Sequence, residues 1–460
     1  MTLVLAGLIA GCASLGPGAG PVTSGSSVPS PLRAGVASVA LNLATATPLA
    51  GYGALTRRLN PPDLNPLNGY TFFKPATGAI DSLHAKALVL ANDNAKVGFL
   101  TVDAVGILGE LVDRIHAKAV SMGSTLDRGQ LVVSASHTHS GPGSLTSLHF
   151  WELAGSDLLH APLRDVFVAR CAEALITAEI NLQPAKLGLA SSPLTGVTTN
   201  RRAGVSPAIT AGMVDTDLGV IRIDKTNGAP LAVLWNFAVH GTAYDATNLK
   251  FSADVMGAAS NQVETALGVP ALFANGAEGD TAPAATGAAG ITLLVPLIAN
   301  KVVAIHTGIV PQASVTLRTA SEVVPFGKAT LDLTLSRLAA GSTDLDIPTL
   351  ISTSAGIPIK MGPDWFENNY RFQAIRINDT LIVPVPGEPI FFVGQAMKTE
   401  SLALGFSRVF IFGLSNGHMA YITTEAEYNI GGYEGIATFF GPKTADKVRA
   451  AAMTQIVKVQ

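Results

Sequence analysis

Two histidines, His137 and His139, stand two positions apart at the end of an apolar run, LVVSASHTHSGPG, at residues 131–143. Leucine and valine favour β-structure, so the run predicts a buried strand with both histidines where it leaves its sheet. Because side chains two apart in an extended chain point to the same side, both imidazoles could face one cavity. The glycines that follow would let backbone amides approach a ligand there. The alternative is a pair of hydrogen-bonded structural histidines, since short motifs recur by chance.

Four other apolar runs end in the same way, with a glycine and a residue type that binds metals or takes part in catalysis. The run at 229–241 ends at His240, the run at 269–280 ends at Asp280, and the run at 379–389 contains Glu388. The run at 408–424 reaches His418 and Tyr421. Structural histidines and carboxylates have no reason to collect at strand ends, whereas a site assembled from several strands does. The recurrence therefore predicts one shared site.

Two or three imidazoles and one carboxylate are suitable ligands for Zn²⁺, which keeps one coordination position for water when it is catalytic. Such an ion lowers the pKa of the bound water to about 7 and polarises a carbonyl, which suits hydrolysis of an amide or ester. His137, His240 and Glu388 are far apart in sequence, so their spacing alone does not establish that they meet. A metal-free Ser-His-Asp hydrolase is the competing class of enzyme, and the lack of a G-x-S-x-G motif weakens it.

Five segments carry a resemblance to a known family. They are HTHSGPG at 137–143, the strand ending in His240, GDTAP at 279–283, PGE at 386–388 and YITTEAEYNIGGYEGIATFFGP at 421–442. In this order they resemble the N-terminal catalytic domain of the neutral, non-lysosomal ceramidases. The likeness extends from about residue 34 to residue 442, and the last segment is its most specific part. It implies an α/β fold of mixed β-sheets, stacked and flanked by helices.

The resemblance also implies a set of metal ligands. The zinc ligands of the family correspond here to His137, His240, Glu388 and Tyr421, with one Zn²⁺ per chain. General rules of zinc coordination alone would favour His418 over a tyrosine.

Three further residues acquire roles from the resemblance. His139 would polarise the substrate carbonyl or donate a hydrogen bond to it, and Tyr433 would stabilise the developing oxyanion. Arg201, in the segment TTNRRAG, would help to hold the substrate. The alternative for this arginine is a surface salt bridge.

Ala282 is a departure from the family. Where the family has Gly-Asp-x-Ser-Pro, with the serine proposed as a nucleophile or hydrogen-bonding group, this chain has Gly-Asp-Thr-Ala-Pro. Alanine has no hydroxyl, so a covalent acyl-enzyme at this position is excluded. Thr281 would point elsewhere if the loop is extended, while attack by metal-activated water remains open. We also expect the family's C-terminal immunoglobulin-like domain to be missing, because the sequence ends at Gln460.

The elements that must position these residues follow from the periodicity of the chain. Residues 84–92 and 96–107 predict two strands, and GELVDRIHAKAV predicts a helix. Asp103 would either cap this helix or lie near the site as a supporting carboxylate. Cys171 lies in a predicted amphipathic helix as an unpaired, buried thiol, and the last stretch of the chain predicts one more helix.

Composition limits the kind of protein and its partners. Hydrophobic residues make up 48% of the 460 residues and charged residues 14%, which provides material for a large core. The net charge of −3, without basic runs, excludes nucleic acid as a partner.

The N-terminus predicts export. Residues 1–12 (MTLVLAGLIAGC) are apolar but too short to span a bilayer, and IAGC resembles the lipobox of bacterial lipoproteins, in which Cys12 carries lipid. Residues 13–31 are rich in glycine, serine and proline and predict a flexible tether to a catalytic domain at 32–460. The alanine after Cys12 favours an outer-membrane lipoprotein of the bacterial cell envelope. A cleaved signal peptide and a secreted or periplasmic protein are the alternatives.

The sequence therefore predicts a zinc-dependent hydrolase that cleaves the amide bond of ceramide or a related N-acylated lipid with metal-activated water. Its partners would be this lipid-like substrate and a membrane, which it would reach through the N-terminal lipid anchor. Because Ala282 has no hydroxyl, hydrolysis of another amide or ester stays open. A catalytically silent envelope protein that binds metal or lipid is the alternative from a different class.

Overall fold

A computed structural model describes residues 22–44, 46–332 and 359–460. The predicted signal segment, Cys12 and the first part of the predicted tether lie outside this range. The tether prediction is wrong for its last ten residues, because Val22–Pro31 form a strand, β1, that pairs antiparallel with the strand Ser314–Pro325. Residues of almost any type can pair through their backbone hydrogen bonds. A Ser- and Pro-rich edge strand can therefore form without the hydrophobic pattern by which strands are recognised in a sequence.

The other strands follow in chain order. They are β2 (Arg33–Ala40), β3 (Gly78–Ala79), β4 (His84–Ala91), β5 (Lys96–Val102), β6 (Leu131–Ala135), β7 (Gln183–Pro193), β8 (Thr198–Asn200), β9 (Asp217–Lys225), β10 (Pro230–Phe237), β11 (Lys250–Phe251), β12 (Ala271–Asn275), β13 (Thr281–Pro283), β14 (Ser314–Pro325), β15 (Thr330–Leu331), β16 (Ile359–Lys360), β17 (Asn369–Ile377), β18 (Thr380–Pro384), β19 (Glu388–Pro389), β20 (Arg408–Phe412) and β21 (Tyr421–Ile422). The two strands predicted at 84–92 and 96–107 are confirmed as β4 and β5, although β5 ends five residues earlier.

The helices are α1 (Gly109–Ser121), α2 (His149–Trp151), α3 (Ala161–Ile180), α4 (Asp254–Leu267), α5 (Gly287–Gly308), α6 (Phe391–Ala403), α7 (Glu425–Ile430), α8 (Gly432–Ile436) and α9 (Thr444–Val459). The predicted helices are confirmed as α1, α3 and α9, and Cys171 of α3 is a buried, free thiol. Asp103 is not the cap of α1, because Leu108 directly precedes that helix. The Asp103 carboxylate instead accepts a hydrogen bond from the backbone N–H of His84, at 2.8 Å.

An eight-stranded sheet contains the strands of the first half of the chain. Its order is β12-β10-β9-β7-β2-β4-β5-β6, and the outermost pairs, β10 with β12 and β5 with β6, are parallel. Strands such as β4 (HAKALVLA) are buried along nearly their whole length. Continuous apolar runs of this kind are typical of strands covered on both faces.

A five-stranded sheet packs against one face of the larger sheet. Its order is β1-β14-β17-β18-β20, antiparallel except for the parallel pair β18 and β20. The core between the two sheets includes Leu88 and Phe99 of the larger sheet and Phe410 and Phe412 of the smaller one. Burial of these large apolar side chains holds the sheets together.

Helices cover the outer faces of both sheets. Helices α1 and α3 pack on one half of the eight-stranded sheet, and α4 and α5 pack on the other half. Helices α6 and α9 cover the five-stranded sheet. The result is a four-layered arrangement of helices, sheet, sheet and helices, which confirms the predicted α/β fold of stacked sheets flanked by helices.

Helix α5 is, among the described residues, the one helix long and apolar enough to cross a membrane by length and composition. In this structure it lies in the outer layer against α4. Its Leu294, Ile298 and Val302 are buried, while Leu293 and Leu297 are exposed. One face of the helix therefore packs on the sheet, while leucines remain exposed on the other face.

The carboxyl ends of strands from both sheets meet at one place. The segment after β20 runs beside the two edge strands of the larger sheet, β6 and β12. The N–H of Ala135 donates to the carbonyl of Leu414 at 3.1 Å, and the N–H of Gly413 donates to that of Asn275 at 2.9 Å. This meeting point is where the predicted site residues lie.

Candidate metal centre and active site

His137 leaves β6 in a left-handed backbone conformation. The strand ends at Ala135, and φ of His137 is 71°. Its Nδ1 lies 2.6 Å from the carbonyl oxygen of Val105, and because a carbonyl only accepts, Nδ1 donates and Nε2 keeps a lone pair. The Nε2 atoms of His137 and His139 lie 3.4 Å apart. The two rings therefore meet as predicted, but the predicted reason, an extended chain, is wrong.

His240 presents its lone pair to the same point. It follows β10, and its Nδ1 lies 2.9 Å from the carbonyl oxygen of Glu278, so that Nδ1 donates here too. Its Nε2 is 3.0 Å from the Nε2 of His137. Two lone pairs at this distance repel each other unless a cation or a proton lies between them.

Two oxygen-bearing side chains approach from the other side. Glu388 of β19 is the parallel ladder partner of Tyr421 in β21. The Oε2 of Glu388 is 3.2 Å from the Nε2 of His137 and 3.4 Å from the Nε2 of His240. The hydroxyl of Tyr421 is 3.3 Å from the Nε2 of His240. The structure thus brings together all four side chains that the sequence singled out as metal ligands.

This cluster is compatible with a metal ion. In both His137 and His240 the Nδ1 proton is donated to a backbone carbonyl, which leaves Nε2 unprotonated. Histidine binds metals in this neutral form. The nitrogen and oxygen atoms present are donor types that Zn²⁺ accepts. The role of each residue as a ligand stays a prediction.

The ionisation of the cluster follows from burial and its neighbours. Burial lowers the pKa of His240 well below its ordinary value, and the charge of Arg201 adds to this, so the imidazole is neutral near pH 7. Burial opposes ionisation of Glu388, yet His137, His418 and Arg201 together outweigh it and lower the pKa of this carboxyl. Burial also raises the pKa of Tyr421 well above its ordinary value, an effect that Arg201 opposes.

Arg201 contacts the cluster directly. One Nη2 donates to the hydroxyl of Tyr421 at 2.8 Å and to the carbonyl oxygen of Gly279 at 2.9 Å. Its Nε pairs with Glu434, at 2.7 Å, whose side chain is only 5% exposed. The salt bridge of the alternative is therefore present, but its partner is buried. Arg201 forms a largely buried ion pair beside Tyr421, and its contact with substrate stays a prediction.

His139 and Tyr433 border the cluster. The backbone carbonyl of His139 accepts a hydrogen bond from Arg57 at 2.9 Å, which fixes its place in the chain. Burial, followed by the charge effects of His137 and Arg57, lowers the pKa of His139 well below its ordinary value. Tyr433 packs edge-on against Tyr421, with ring centroids 5.3 Å apart. Their predicted catalytic roles are untested.

A largely apolar cavity that is open to solvent lies above the cluster. Its walls come mostly from aromatic and aliphatic side chains after β6 and near the C-terminus: Phe150, Trp151, Leu331, Tyr433, Ile436, Ala437 and Phe439. Polar side chains of the cluster also line it: His137, His139, Glu388, His418 and Tyr421. An elongated apolar group could lie along the walls with a polar group against the cluster.

Comparison with protein families identifies the chain. Residues 65–292 and 315–450 match the family described as neutral/alkaline non-lysosomal ceramidase, N-terminal. The chain belongs to this family.

Relatives in this ceramidase family are distant in sequence. The chain is 22% identical over 469 residues to neutral ceramidase B of Dictyostelium discoideum, which covers 78% of this chain and 65% of that protein. It is 23% identical over 402 residues to the neutral ceramidase of Mycobacterium tuberculosis, which covers 69% of this chain and 62% of that protein. The chain thus spans somewhat less than two thirds of the length of these relatives.

Solved structures of the family share the fold. The crystal structure of neutral ceramidase from Pseudomonas aeruginosa superimposes with a TM-score of 0.75 at 21% identity, covering 94% of this chain and 74% of that chain. A structure described as ceramidase complexed with C2 gives a TM-score of 0.76 at 19% identity, covering 93% of this chain and 75% of that one.

Ala282, which the resemblance assigns to the position of the family's serine, lies in a short strand. It is part of β13 and pairs antiparallel with Thr199 of β8. The neighbouring Thr281 is fully buried in this extended segment. Among the described residues, the set that lines the cavity does not include Ala282.

Two residues near the cluster differ from what the sequence indicated. His418, which general rules favour as a ligand, stacks on Trp151 with ring centroids 4.5 Å apart. Its Nε2 is 3.7 Å from Oε1 of Glu388, the oxygen of that carboxylate other than the one near His137 and His240. Burial lowers the pKa of His418 to about 4. Glu278 was not predicted from the sequence. One ligand atom from each of Glu278, Glu388 and His137 together form a possible metal-binding group. The signal was an acidic residue among small residues at a strand end, in FANGAEGD.

Proposed function

We propose that this chain is a zinc-dependent amidohydrolase that cleaves the amide bond of ceramide or a related N-acylated lipid. The observation that carries the proposal is the convergence of two imidazole Nε2 atoms, a carboxylate and a phenol at the floor of an apolar cavity. Membership of the neutral ceramidase family supports the substrate class.

His137, His240, Glu388 and Tyr421 would hold the ion. When bound, Zn²⁺ would supply a Lewis acid that polarises the substrate carbonyl and lowers the pKa of water to about 7. The backbone carbonyls that accept from both Nδ1 atoms keep the two rings in the required orientation. Arg201 donates to the hydroxyl of Tyr421 and so favours the ionised form of this phenol.

The remaining residues would bind the substrate and stabilise charge. The apolar walls would take the acyl and sphingoid chains, so that the amide reaches the cluster. His139 would donate a hydrogen bond to the substrate carbonyl, and Tyr433 would donate to the oxyanion as it develops. Both lie on the cavity wall, where a substrate could reach them.

We also propose a location at the bacterial cell envelope. The support is the IAGC segment at the N-terminus, with Cys12 as the site of lipidation, followed by a Gly-, Ser- and Pro-rich stretch. An anchor of this kind would hold the cavity close to a supply of lipid substrate. A secreted or periplasmic protein is the alternative.

The test is release of fatty acid from a fluorescent N-acyl sphingosine by the full chain, with and without a metal chelator. We expect release that the chelator abolishes and that added Zn²⁺ restores. A panel of other N-acyl lipids and esters, run in parallel, addresses the substrate, because Ala282 lacks the hydroxyl of the family motif. Chelator-sensitive release from another compound alone would move the activity to that class. No release from any compound would favour the silent binding protein.

A further inference from the structure

The carboxylate of Glu278 is a buried group without compensation. Its side chain is fully buried, and no hydrogen bond from another described residue reaches either of its oxygen atoms. A carboxylate out of water without a partner is strongly unfavourable, so such groups are paired, hydrogen-bonded or bound to metals. The surroundings of Glu278 therefore indicate what it binds.

The backbone places this carboxylate at the proposed metal centre. Glu278 follows β12, and its own carbonyl oxygen accepts the hydrogen bond from Nδ1 of His240. One ligand atom from each of Glu278, Glu388 and His137 lies within 4.8 Å of the other two. A single ion at the centre could contact all three.

Glu278 does not face the cavity. It is absent from the described residues that line the cavity, whereas Glu388 and His137 are among them. Room for its carboxylate is left by Gly413, because a Cβ on that residue would lie only 2.6 Å from Oε2 of Glu278. A side chain that does not line the cavity does not touch a substrate there, but it can contact an ion that lies between it and the cavity.

We propose that Glu278 is an additional ligand of the metal ion, bound from the side away from the cavity. The inference rests on the proposed function, since it takes the metal centre as given. Two carboxylates, from Glu278 and Glu388, would balance the two charges of Zn²⁺. The orphaned oxygen atoms of Glu278 would then have their partner.

The experiment measures metal binding rather than hydrolysis. Wild type and Glu278→Gln are freed of metal and titrated with Zn²⁺ against a chromophoric chelator, and each is then loaded with Co²⁺, whose visible absorption reports its ligands. Glu388→Gln serves as the reference for loss of a ligand. Thr281→Val is the matched control, because Thr281 lies three residues further on at the start of β13, is equally buried and has a hydroxyl without a partner among the described residues.

We expect Glu278→Gln to lower the affinity for Zn²⁺ by at least about tenfold and to change the Co²⁺ spectrum as strongly as Glu388→Gln does. Thr281→Val should leave both within about twofold of wild type. If Glu278→Gln does not fold, Glu278→Asp, which keeps the charge but shortens the side chain, should still change the spectrum.

Other outcomes separate the inference from the proposed function. An unchanged affinity and spectrum in Glu278→Gln, with wild type binding one ion, would overturn the inference and leave the metal centre intact. A Glu278 that only shares a proton with Glu388 would give this result. Failure of wild type to bind any ion would instead overturn the proposed function.

Discussion

The nitrogen side and the oxygen side of the proposed metal centre come from different regions and are held by different forces. His137 and His240 follow strands of the eight-stranded sheet, and neutral backbone carbonyls fix both rings through Nδ1. Glu388 and Tyr421 lie on a short parallel pair beyond the five-stranded sheet, next to the charge of Arg201. A hydrogen bond to a backbone carbonyl fixes the orientation of an imidazole ring, whereas a charge interaction is effective over a range of distances and orientations. The nitrogen side should therefore tolerate substitution less well.

The largest effect is expected for His137→Ala. It removes one of two imidazoles whose lone pairs lie 3.0 Å apart and leaves His240 alone on its side. Loss of this imidazole should lower metal affinity by more than the roughly 10–100-fold that supporting residues contribute, and lipid hydrolysis should fall with it. Zn²⁺ titration and fatty-acid release measure the two quantities. His116→Ala, a histidine of α1 outside the site, is the control, and equal losses in both variants would contradict the prediction.

Tyr421→Phe should have a smaller effect, a loss of roughly tenfold in Zn²⁺ affinity. The ring and its packing against Tyr433 remain, while the hydroxyl that Arg201 contacts is lost. The same titration measures it, with Tyr370→Phe as the control, since Tyr370 is a buried tyrosine whose hydroxyl donates to the carbonyl of Glu367. A loss as large as that of His137→Ala would remove the difference between the two sides.

Glu367→Gln tests a contact between the five-stranded sheet and helix α1, which covers the eight-stranded sheet. The Glu367 carboxylate, which precedes β17, accepts from the N–H of Glu110 at 3.3 Å, at the start of α1. Burial raises the pKa of Glu367 to about 7 from its ordinary 4.5. Between these values the folded protein binds more protons than the unfolded chain, so this group contributes stability that is lost as pH rises towards 7. Glutamine does not titrate and removes this contribution.

The thermal midpoint of wild type relative to Glu367→Gln should therefore be higher at pH 5 than at pH 8, by a few degrees. Calorimetry of both proteins at the two pH values measures this difference. A difference that does not vary with pH would contradict the assignment.

The smallest effect is expected for Ala282→Ser. Ala282 lies in β13 and is absent from the described lining of the cavity, so a hydroxyl there should change turnover of ceramide by less than about threefold, under ~0.7 kcal/mol of barrier. Ala284→Ser, at an exposed position two residues on, is the control. An increase of tenfold or more would contradict this expectation and show that a hydroxyl at this position takes part in turnover.

Much of this architecture can be predicted from the sequence, because an apolar run followed by polar residues predicts a buried strand and the position where the chain leaves the sheet. The runs that lead to His240 and Glu388 are confirmed as β10 and β18, and the meeting of these residues required the resemblance as well. Glu278 was missed because a glutamate in a Gly-rich loop is typical of a solvated turn, and only the fold excludes water from it. The strand β1 was missed because its hydrogen bonds are made by the backbone of a Ser- and Pro-rich segment.

The left-handed backbone at His137 has a consequence for which residue the fold itself favours there. A residue with a Cβ is held there against an intrinsic preference of about 1–3 kcal/mol. Glycine would relieve that strain while deleting the imidazole. His137→Gly should therefore stabilise the fold while it removes the imidazole, so the requirements of folding alone do not account for a histidine at this position.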